Sequence, residues 1–599
     1  MADTTDETGR APQAPAGLDA TGNGTGPATA EAAAAAGNPA NPANPAHNEE
    51  LLARARAWLA EDPDPDTRRE LAALLDAGDT EAVAERFLGT LQFGTAGLRG
   101  EMGAGPARMN RAVVIRAAAG LAAYLRENAP GLVVIGYDAR HKSADFARDT
   151  ASVVTGAGLR AALLPRPLPT PVLAFAIRHL GAVAGVMVTA SHNPPRDNGY
   201  KVYLGDGSQI VPPADTAISA RIAAVGPLAE VPRPEGGWEV LGEEVLDAYL
   251  ARSGAVLSPG SPRDVRIVYT PLHGVGQEVL NAAFGLAGFP APLPVPEQAA
   301  PDPDFPTVSF PNPEEPGAMD LAFATARAAG DPGADLVVAN DPDADRCAVG
   351  VPDPAAPGGW RMLRGDEVGA LLATHLVRKG VRGTHATSIV SSSLGGRIAA
   401  AAGLPFRETL TGFKWLGRVP GLAYAYEEAL GYCVDPEGVR DKDGITAALA
   451  LAELAAGLKR EGRTLTSLLD EIAVEHGLHA TDQLSVRVQD LSLIAEALRR
   501  LRAEPPRELA GLRVRTAEDL RQGSAELPPT EGLRYLLDGA GEVSAARVIV
   551  RPSGTEPKLK CYLEAVLPVP GLDALPRARA TAARVLAGLK EDFAAQAGL

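Results

Sequence analysis

One pattern of strand, loop and helix occurs three times along the chain, and this repetition constrains the fold more than any other feature. Each copy has a short apolar strand, a loop rich in Gly, Ser, His or charged residues, a helix, a glycine and a second apolar strand; the copies start at Leu132, Val265 and Thr384. Strands that alternate with helices predict βαβ units on a parallel or mixed sheet. The sequence therefore predicts three α/β domains of similar plan, whose strand ends carry loops available for ligands.

The C-terminal part has a different pattern. SVRVQ and ARVIVR alternate as strands do, KLKCYLEAV follows a loop with Gly and Pro, and a helical pattern starts at about Leu575. These residues, about 115 in number, fit a smaller α+β domain that closes over the others. The expected domains are 49–240, 241–356 and 357–480 for the α/β part and 481–599 for the α+β part.

The N-terminal residues 1–48 are rich in Ala, Gly, Pro, Asn and Thr and include NPANPANPA at 38–46. Few large apolar residues occur there, so burial cannot offset the entropy lost on ordering, and we predict a disordered tail. The first residues are acidic and lack an apolar core segment, so we expect no signal peptide.

Charge and cysteine content narrow the range of partners. The chain has 57 Lys and Arg against 74 Asp and Glu, a formal net charge of −17, which disfavours nonspecific binding to nucleic acid or anionic membranes. We find no uninterrupted apolar run long enough to span a bilayer. Cys347, Cys433 and Cys561 form no CxxC pair. We therefore predict reduced thiols in a cytoplasmic protein, with no nucleic-acid and no membrane partner.

The segment GVMVTASHNPPRDNGYKVYLGDG places a serine where a nucleophile could be held rigidly. An apolar strand ends at Thr189 and leads into Ser191 and His192, and the chain then turns at two prolines. Lys201 lies ten residues after Ser191 and can return toward the same turn to supply a cation. A lone serine here would indicate an ordinary turn. The crowding of Ser, His, Asn and Lys on one loop favours chemistry.

A second segment, DLVVANDPDADRCAVGV, predicts a metal site. A buried strand leads into Asp341, Asp343 and Asp345, and carboxylates at alternate positions after a strand can converge on one hard cation. Oxygen ligands alone suit magnesium. A calcium EF-hand would need Gly and Glu where Arg346 and Pro352 stand. The remaining alternative is an acidic turn without a metal.

A third segment, VIVRPSGTEPKLKCY, predicts a phosphate site. Arg551 can bind phosphate oxygens with two donors, and small residues let backbone N–H groups approach an anion; these residues are Ser553, Gly554 and Thr555. Lys558 and Lys560 make the surroundings cationic within an acidic chain. The alternative is an ordinary hairpin turn.

Two further segments carry weaker signals. In AYEEALGYCVDPEGVRDKDG, Glu427 and Glu428 could accept hydrogen bonds from sugar hydroxyls. Further candidate phosphate or hydroxyl contacts are Lys414, Arg440 and Lys442. In LQFGTAGLRGEMGAGPARMN, Arg99 and Arg108 flank a Gly-rich turn. Paired Glu residues are more often a solvated helix end, so neither segment is specific alone.

Taken together, these segments resemble the α-D-phosphohexomutase superfamily, the family of phosphoglucomutases and phosphomannomutases. TASHNP, DPDADR, EEALGY and RPSGTEP match its phosphoserine, metal, sugar and phosphate loops in order, from about residue 50 onward. FGTAGLRG, NGYKVY and VRDKDG are similar to the branch with bacterial phosphoglucomutase and phosphopentomutase-type enzymes. The resemblance implies four domains around a central cleft, three of them α/β.

The resemblance also implies an activity. Ser191 would carry the phosphoryl group and, with the three Asp residues, bind Mg²⁺; glucose 1,6-bisphosphate would be the activator. Arg99, Lys201 and His192 would stabilise charge or move protons. The substrate-binding residues would be Arg346, Lys414, Glu428, Arg551, Ser553, Gly554 and Thr555. The expected reaction interconverts a sugar 1-phosphate and 6-phosphate through a 1,6-bisphosphate.

The sugar loop departs from the family pattern. Many members have Glu-x-Ser-Gly-His, whereas this chain has Leu430 and Tyr432 at the Ser and His positions, so only Glu428 carries over. Glucose is the first choice of sugar, with phosphomannomutase or phosphopentomutase activity as alternatives. From other classes, a metal-dependent sugar phosphatase using Asp341 as nucleophile and a non-catalytic phosphosugar-binding protein stay open. The chain lacks G-x-S-x-G near Ser191 and any P-loop or G-x-G-x-x-G.

Overall fold

Four β-sheets follow one another along the chain. The computed structural model describes residues 45–330, 332–488, 490–553 and 558–598. Leu51–Leu599 form one compact unit that contains all four sheets. Helix α1 (Pro45–Glu61) includes the last residues of the predicted tail. The rest of that prediction, residues 1–44, lies outside the described residues.

The first sheet has six strands and six helices that follow α1. The strands are β1 (Leu98–Glu101), β2 (Leu132–Tyr137), β3 (Arg160–Leu163), β4 (Ala184–Val188), β5 (Asp197–Leu204) and β6 (Glu239–Val240). The helices are α2 (Pro65–Ala77), α3 (Thr80–Phe87), α4 (Arg111–Asn128), α5 (Ser143–Gly156), α6 (Thr170–His179) and α7 (Ala214–Ala223). The strand order is β1-β5-β4-β2-β3-β6.

The second sheet has five strands. They are β7 (Ile267–Thr270), β8 (Leu293–Pro294), β9 (Leu336–Ala339), β10 (Ala348–Pro352) and β11 (Trp360–Met362), in the order β11-β10-β9-β7-β8. The helices of this part are α8 (Glu244–Ser253), α9 (Gly276–Leu286) and α10 (Asp320–Ala328).

The third sheet has four strands. They are β12 (Thr384–Ser388), β13 (Phe406–Thr409), β14 (Leu422–Glu427) and β15 (Gly431–Cys433), in the order β13-β12-β14-β15. The helices are α11 (Gly365–Arg378), α12 (Leu394–Ala401), α13 (Phe413–Leu416), α14 (Gly444–Arg460) and α15 (Leu465–His476).

These three sheets share one topology, as the repeats predicted. In each, the first strand of the repeat (β2, β7 or β12) lies between two parallel neighbours. One of these neighbours (β4, β9 or β14) also pairs with an antiparallel strand that follows it directly in sequence. The loop between that neighbour and its antiparallel partner therefore occupies the same place in all three sheets.

The fourth sheet is antiparallel throughout. Its strands are β16 (Leu478–Arg487), β17 (Glu508–Leu509), β18 (Leu512–Asp519), β19 (Leu533–Asp538), β20 (Ala545–Pro552) and β21 (Lys558–Leu567), in the order β16-β21-β20-β19-β18-β17. Its helices are α16 (Leu491–Ala503) and α17 (Leu575–Ala597). The predicted α+β character and the helix expected from Leu575 are confirmed.

Helix α14 lies in the largest apolar cluster, which also takes in residues of the first three sheets and their helices. Apart from Thr446 and Glu453, its sequence GITAALALAELAAGLKR is apolar on all sides before its last turn, as expected of a helix buried all round. Asp443 caps its N-terminus by accepting from the backbone N–H groups of Ile445 and Thr446. Of the helices that the structure describes, none combines the length and apolar character needed to cross a membrane.

Candidate active site

The three loops predicted to carry chemistry stand at equivalent places in the first three sheets. The Ser191 loop joins β4 to β5, the Asp loop joins β9 to β10, and the Glu428 loop joins β14 to β15. Each loop leaves the carboxyl end of a strand whose parallel neighbour is the first strand of its repeat. Ligand sites in α/β sheets lie at such ends.

Ser191 is buried and strained in its backbone. The residue is 3% exposed, and its φ of 53° lies in the left-handed region, which is uncommon for a residue with a Cβ. Its N–H donates to Thr189 Oγ1 at 2.8 Å, which stabilises the turn. Its Oγ donates to Asp341 Oδ2 at 2.7 Å and lies 3.1 Å from His192 Nδ1. The loop thus aims the hydroxyl at the Asp loop of the second sheet.

Arg140 fixes the Ser191 loop by hydrogen bonds to its backbone. This guanidinium is 4% exposed and donates to four carbonyl oxygens of the loop, those of Ser191, Asn193, Pro194 and Asp197, at 2.7, 2.5, 2.8 and 3.1 Å. Its charge is balanced by Asp138, 3.4 Å away. One planar cation thereby fixes the path of the segment from Ser191 to the start of β5.

The predicted carboxylate cluster forms. Asp341, Asp343 and Asp345 are each at most 1% exposed, and one oxygen from each lies within 4.8 Å of the others. Ala344 adopts a φ of 55°, which lets the chain turn tightly between the last two. Asp343 Oδ1 and Asp345 Oδ1 are buried and have no hydrogen-bond partner among the described residues. Unpaired buried carboxylate oxygens are costly, so this donor set fits a bound hard cation such as Mg²⁺.

Two lysines partly neutralise the cluster. Lys201 Nζ donates to Asp343 Oδ2 at 2.7 Å and Asp345 Oδ2 at 3.2 Å, while Lys442 Nζ lies 3.2 Å from Asp345 Oδ2. Burial disfavours the charge on Asp343, but the charge and hydrogen bond of Lys201 outweigh it and hold its pKa well below the usual range. Burial and the charges of Asp343 and Asp345 instead raise the pKa of Asp341. The amine of Lys201 thus lies on the Asp loop, and its charge also acts on His192 of the serine turn.

Three other predicted residues border the same centre. Arg346 Nε lies 3.9 Å from Asp341 Oδ2 and from Asp345 Oδ1. Arg99 donates to Asn193 Oδ1 at 3.1 Å, next to Ser191. Burial, followed by the charges of Arg346 and Arg99, holds the pKa of His192 well below its ordinary value. A neutral imidazole therefore faces the Ser191 hydroxyl.

The Glu428 loop contributes fewer side chains than its sequence offers. Leu430 and Tyr432 are fully buried, and the Tyr432 hydroxyl donates to the carbonyl of Gly365 at 3.4 Å. Both residues therefore belong to the core, whereas Glu428 is only partly buried. Its Oε2 accepts from the Ser388 and Ser391 hydroxyls at 3.1 Å each.

Lys414 and the predicted phosphate loop lie close to one another. Lys414 Nζ donates to Thr95 Oγ1 at 2.6 Å, and burial, with the nearby charge of Arg551, lowers the pKa of Lys414. Arg551 pairs with Lys560 across β20 and β21. The N–H of Ser553 donates to the Lys558 carbonyl at 2.8 Å. Gly554 and Thr555, also predicted here, lie outside the described residues.

Sequence reasoning missed the residues that support these loops. Arg140 and Asp138 lie in the first predicted repeat, directly after β2. Thr170 donates to Asp343 Oδ2 at 2.7 Å from 173 positions away. Ser388 ends β12, the equivalent of β2 in the third sheet, and Ser391 follows it. For all of these residues except Thr170, the available signal was their position at or after the end of the first strand of a repeat, since that loop lies beside the one with the chemistry.

The chain matches the four domain descriptions of one family along its length. These are the phosphoglucomutase/phosphomannomutase alpha/beta/alpha domains I, II and III, at residues 90–227, 247–354 and 364–475, and the C-terminal domain of the same family at residues 485–581.

Known proteins similar to the chain carry related names. A probable phosphomannomutase of Haemophilus influenzae is 49% identical over 466 residues, 76% of this chain and 93% of that protein. A probable phosphoribomutase of Schizosaccharomyces pombe is 37% identical, covering 84% of this chain and 92% of the relative. A crystal structure provisionally named as a phosphomannomutase from Thermus thermophilus is 29% identical, with a TM-score of 0.63 over 83% of this chain and 99% of that one.

Proposed function

Because the chain belongs to the phosphoglucomutase/phosphomannomutase family of phosphotransferase enzymes, we propose that it interconverts a sugar 1-phosphate and the corresponding 6-phosphate through a phosphorylated Ser191. The observation that carries this proposal is the 2.7 Å hydrogen bond from Ser191 Oγ to Asp341. A serine phosphate at this position would lie directly against the carboxylate cluster.

The cluster is the proposed Mg²⁺ site. Asp341, Asp343 and Asp345 would hold the ion together with an oxygen of the serine phosphate. Two of their oxygens are buried without a hydrogen-bond partner in the part of the chain that the structure describes. The chemistry that Mg²⁺ supplies when bound there is neutralisation of charge on the transferred phosphoryl group. Lys201 and Lys442 hold the carboxylates in place and limit their mutual repulsion.

The first transfer runs from the enzyme to the sugar. The 6-hydroxyl of a bound sugar 1-phosphate attacks the phosphorus of phosphorylated Ser191. A new bond forms from the sugar oxygen to phosphorus while the bond from phosphorus to Ser191 Oγ breaks. The sugar hydroxyl gives its proton to a nearby base, and Ser191 Oγ takes up a proton as it leaves. His192 is suited to accept the Ser191 proton in the return step, because its imidazole is neutral and lies 3.1 Å from Ser191 Oγ.

The second transfer returns a phosphoryl group to Ser191. The 1,6-bisphosphate reorients, and Ser191 Oγ gives up its proton and attacks the phosphorus at position 1. The bond from that phosphorus to the sugar oxygen breaks, and the sugar oxygen takes up a proton to become the 1-hydroxyl. The scheme needs a second phosphate site apart from Ser191. We assign it to Arg551 and Ser553, with Gly554 and Thr555 added from the sequence alone. Closure of the fourth domain over this site would exclude water, which otherwise hydrolyses the phosphoserine.

Glucose 1-phosphate is the first substrate that we propose, with glucose 1,6-bisphosphate as activator. A pentose phosphate is the second candidate. The burial of Leu430 and Tyr432 supports it, because the loop then offers few groups that could require the hydroxyls of a hexose. Mannose 1-phosphate is the third.

The test is phosphorus NMR on the full chain with Mg²⁺, catalytic sugar bisphosphate and each sugar 1-phosphate in turn. We expect conversion to the 6-phosphate, or the 5-phosphate for a pentose, by the wild type and none by Ser191→Ala. Ser152→Ala is the matched control, since that hydroxyl donates to the Pro234 carbonyl in the same domain, away from the site. Release of inorganic phosphate instead would identify a phosphatase, and silence with every sugar would contradict the proposal.

A further inference from the structure

The Glu428 carboxylate is held on one side only. Ser388 and Ser391 hydroxyls both donate to Oε2 at 3.1 Å, and the two hydroxyls lie 2.9 Å apart. The backbone N–H of Glu428 also donates to Ser391 Oγ at 3.1 Å. Among the residues that the structure describes, none donates to Oε1. The carboxylate is therefore oriented, with one oxygen in use and the other available.

Both serines are themselves rigidly placed. Ser388 ends β12, and Ser388 and Ser391 are fully buried. Arg547, on β20 of the fourth sheet, donates to the carbonyls of Ser391 and Ile389. Arg547 is in turn held by Glu564 Oε2, 2.7 Å from its Nε. The segment from Ser388 to Ser391 is therefore anchored to the fourth sheet and is not free to adapt to a ligand.

The neighbouring serines make the same connection. Ser392 Oγ and the N–H of Ser393 donate to Glu564 Oε1 at 2.6 and 2.8 Å. On the other side, the Ser392 N–H donates to Asp366 Oδ1 at 2.6 Å. A buried segment with this many charge-assisted hydrogen bonds has a single conformation.

The backbone of the Glu428 loop is equally constrained. A Cβ at Gly365 would lie 1.8 Å from the Glu428 carbonyl oxygen, so the start of α11 touches the loop directly. The path of the loop is thus fixed by Gly365, and the direction of its carboxylate is fixed by the two serines.

In the first sheet, the Ser191 loop is held by the same arrangement. There the loop after β2 supplies Arg140, which holds the loop between β4 and β5. In the third sheet the loop after β12 supplies Ser388 and Ser391, which hold the loop between β14 and β15. The second sheet agrees, since Val275, after β7, donates its N–H to the Pro342 carbonyl of the Asp loop at 2.9 Å.

We propose that Ser388 and Ser391 are positioning residues that orient Glu428 so that its Oε1 accepts a hydrogen bond from one sugar hydroxyl, and that they thereby set which sugar the site prefers. The inference rests on the proposed function and on Glu428 as the sugar contact that the family resemblance implies. The serines act through Glu428 and do not touch the substrate. Because Leu430 and Tyr432 are buried in the core, they cannot orient Glu428, and the two serines do so instead.

The test compares sugars that differ by one hydroxyl. The full chain with Mg²⁺ and bisphosphate activator is assayed on its preferred sugar 1-phosphate and on analogues that each lack one hydroxyl. The variants are Glu428→Gln, the double variant Ser388→Ala with Ser391→Ala, and Ser393→Ala as control, since its hydroxyl contacts His479 and not Glu428. The readout is the ratio of kcat/KM with and without each hydroxyl. Partial unfolding lowers both rates equally and leaves this ratio unchanged.

For one hydroxyl, we expect this ratio to fall about tenfold in Glu428→Gln and in the double serine variant, the size of a hydrogen bond to a charged group, and to stay within about twofold in Ser393→Ala. If Glu428→Gln changes the ratio but the double serine variant keeps the wild-type ratio, the inference is overturned while the proposed function stands. An unchanged ratio in Glu428→Gln would overturn the role of Glu428 in the proposed function, and the inference with it. Absence of any mutase activity in the wild type would overturn the proposed function.

Discussion

Ser191 Oγ donates a 2.7 Å hydrogen bond to Asp341 Oδ2, although the two residues are 150 positions apart in sequence. The serine loop belongs to the first sheet and the Asp loop to the second. Their meeting depends on how the two sheets pack, and residues of both contribute to one apolar cluster. The geometry of the site is therefore a property of that shared core as much as of the loops.

We expect the carboxylate cluster to stabilise the protein only when a cation is bound. Replacement of Asp341 by Asn removes a buried carboxyl that is repelled by Asp343 and Asp345 and keeps an oxygen that can accept from Ser191. We expect metal-free Asp341→Asn to have a Tm equal to or above that of the wild type. Saturating Mg²⁺ should raise the wild-type Tm, because at a hundredfold excess over Kd it adds about 2.7 kcal/mol to the free energy of unfolding. The Tm of the variant should barely change.

Differential scanning fluorimetry in EDTA and in Mg²⁺ measures both effects. Asp264→Asn, at an exposed position of the same domain, should behave as the wild type in both buffers. A Mg²⁺ shift in Asp341→Asn as large as that of the wild type would show that the cluster is not the metal site.

Arg140 should matter for turnover more than for substrate binding. Lysine keeps the charge but cannot reach four carbonyls from one planar head, so the Ser191 loop would lose its fixed path in Arg140→Lys. A displacement of about 1 Å at a reacting group costs on the order of 100-fold in rate. We expect kcat to fall by about that factor with KM changed less than about threefold, in steady-state kinetics.

Arg160→Lys is the control for Arg140→Lys, because Arg160 is exposed on the same sheet. Its kinetics should match the wild type. A rise in KM with unchanged kcat in Arg140→Lys would mean that Arg140 serves substrate binding and not the serine loop.

Arg551→Ala should raise KM strongly and leave the fold intact. A guanidinium bound to phosphate contributes about 1.5–3 kcal/mol, so we expect a rise in KM of roughly 10- to 100-fold. Arg513→Ala, on the same sheet but exposed and paired with Asp538, should leave KM unchanged. Equal KM values for Arg551→Ala and the wild type would remove Arg551 from the phosphate site.

Asp366 should make stability fall as pH rises. Burial, with the charges of Glu428 and Glu564, raises the pKa of Asp366 to about 7, against about 3.9 in an unfolded chain. The folded state binds this proton more tightly, so the contribution to stability is complete below about pH 4 and is lost as the pH rises to 7. Asp366→Asn cannot ionise and still accepts from the Ser392 N–H.

We therefore expect the Tm of Asp366→Asn, relative to the wild type, to rise between about pH 4 and about pH 7 and to level off above that. Asp264→Asn should show a constant difference over that range. A constant difference for Asp366→Asn as well would mean that the carboxyl stays ionised in the folded protein.

Much of the fold could be predicted because its signals are local. The starts of the three repeats, at Leu132, Val265 and Thr384, follow from short apolar strands and the glycines after their helices, and the structure has strands there. The Asp cluster could be predicted because its members are alternate residues of one loop. Helix α17 could be predicted from its own periodicity.

Contacts between distant segments could not be predicted. Arg140 reaches carbonyls more than fifty positions away, and nothing in DARHK indicates their direction. Lys201 was expected at the serine turn, but the strand pairing of β5 places it opposite Met187, with its amine on the Asp loop. Leu430 and Tyr432 were read as replacements in a sugar contact, whereas packing against α11 puts Tyr432 in the core.

The first three sheets are three copies of one topological unit, and each copy carries a different part of the site. In the proposed function, one copy carries the nucleophile, one the carboxylates and one the sugar contact, each on the same loop of its sheet. If these tasks are carried by separate copies, substitutions in the third copy would change sugar preference while the first two go on transferring phosphoryl groups. With the sugar contact on a separate unit, a new substrate preference can evolve while the phosphoryl-transfer residues stay unchanged.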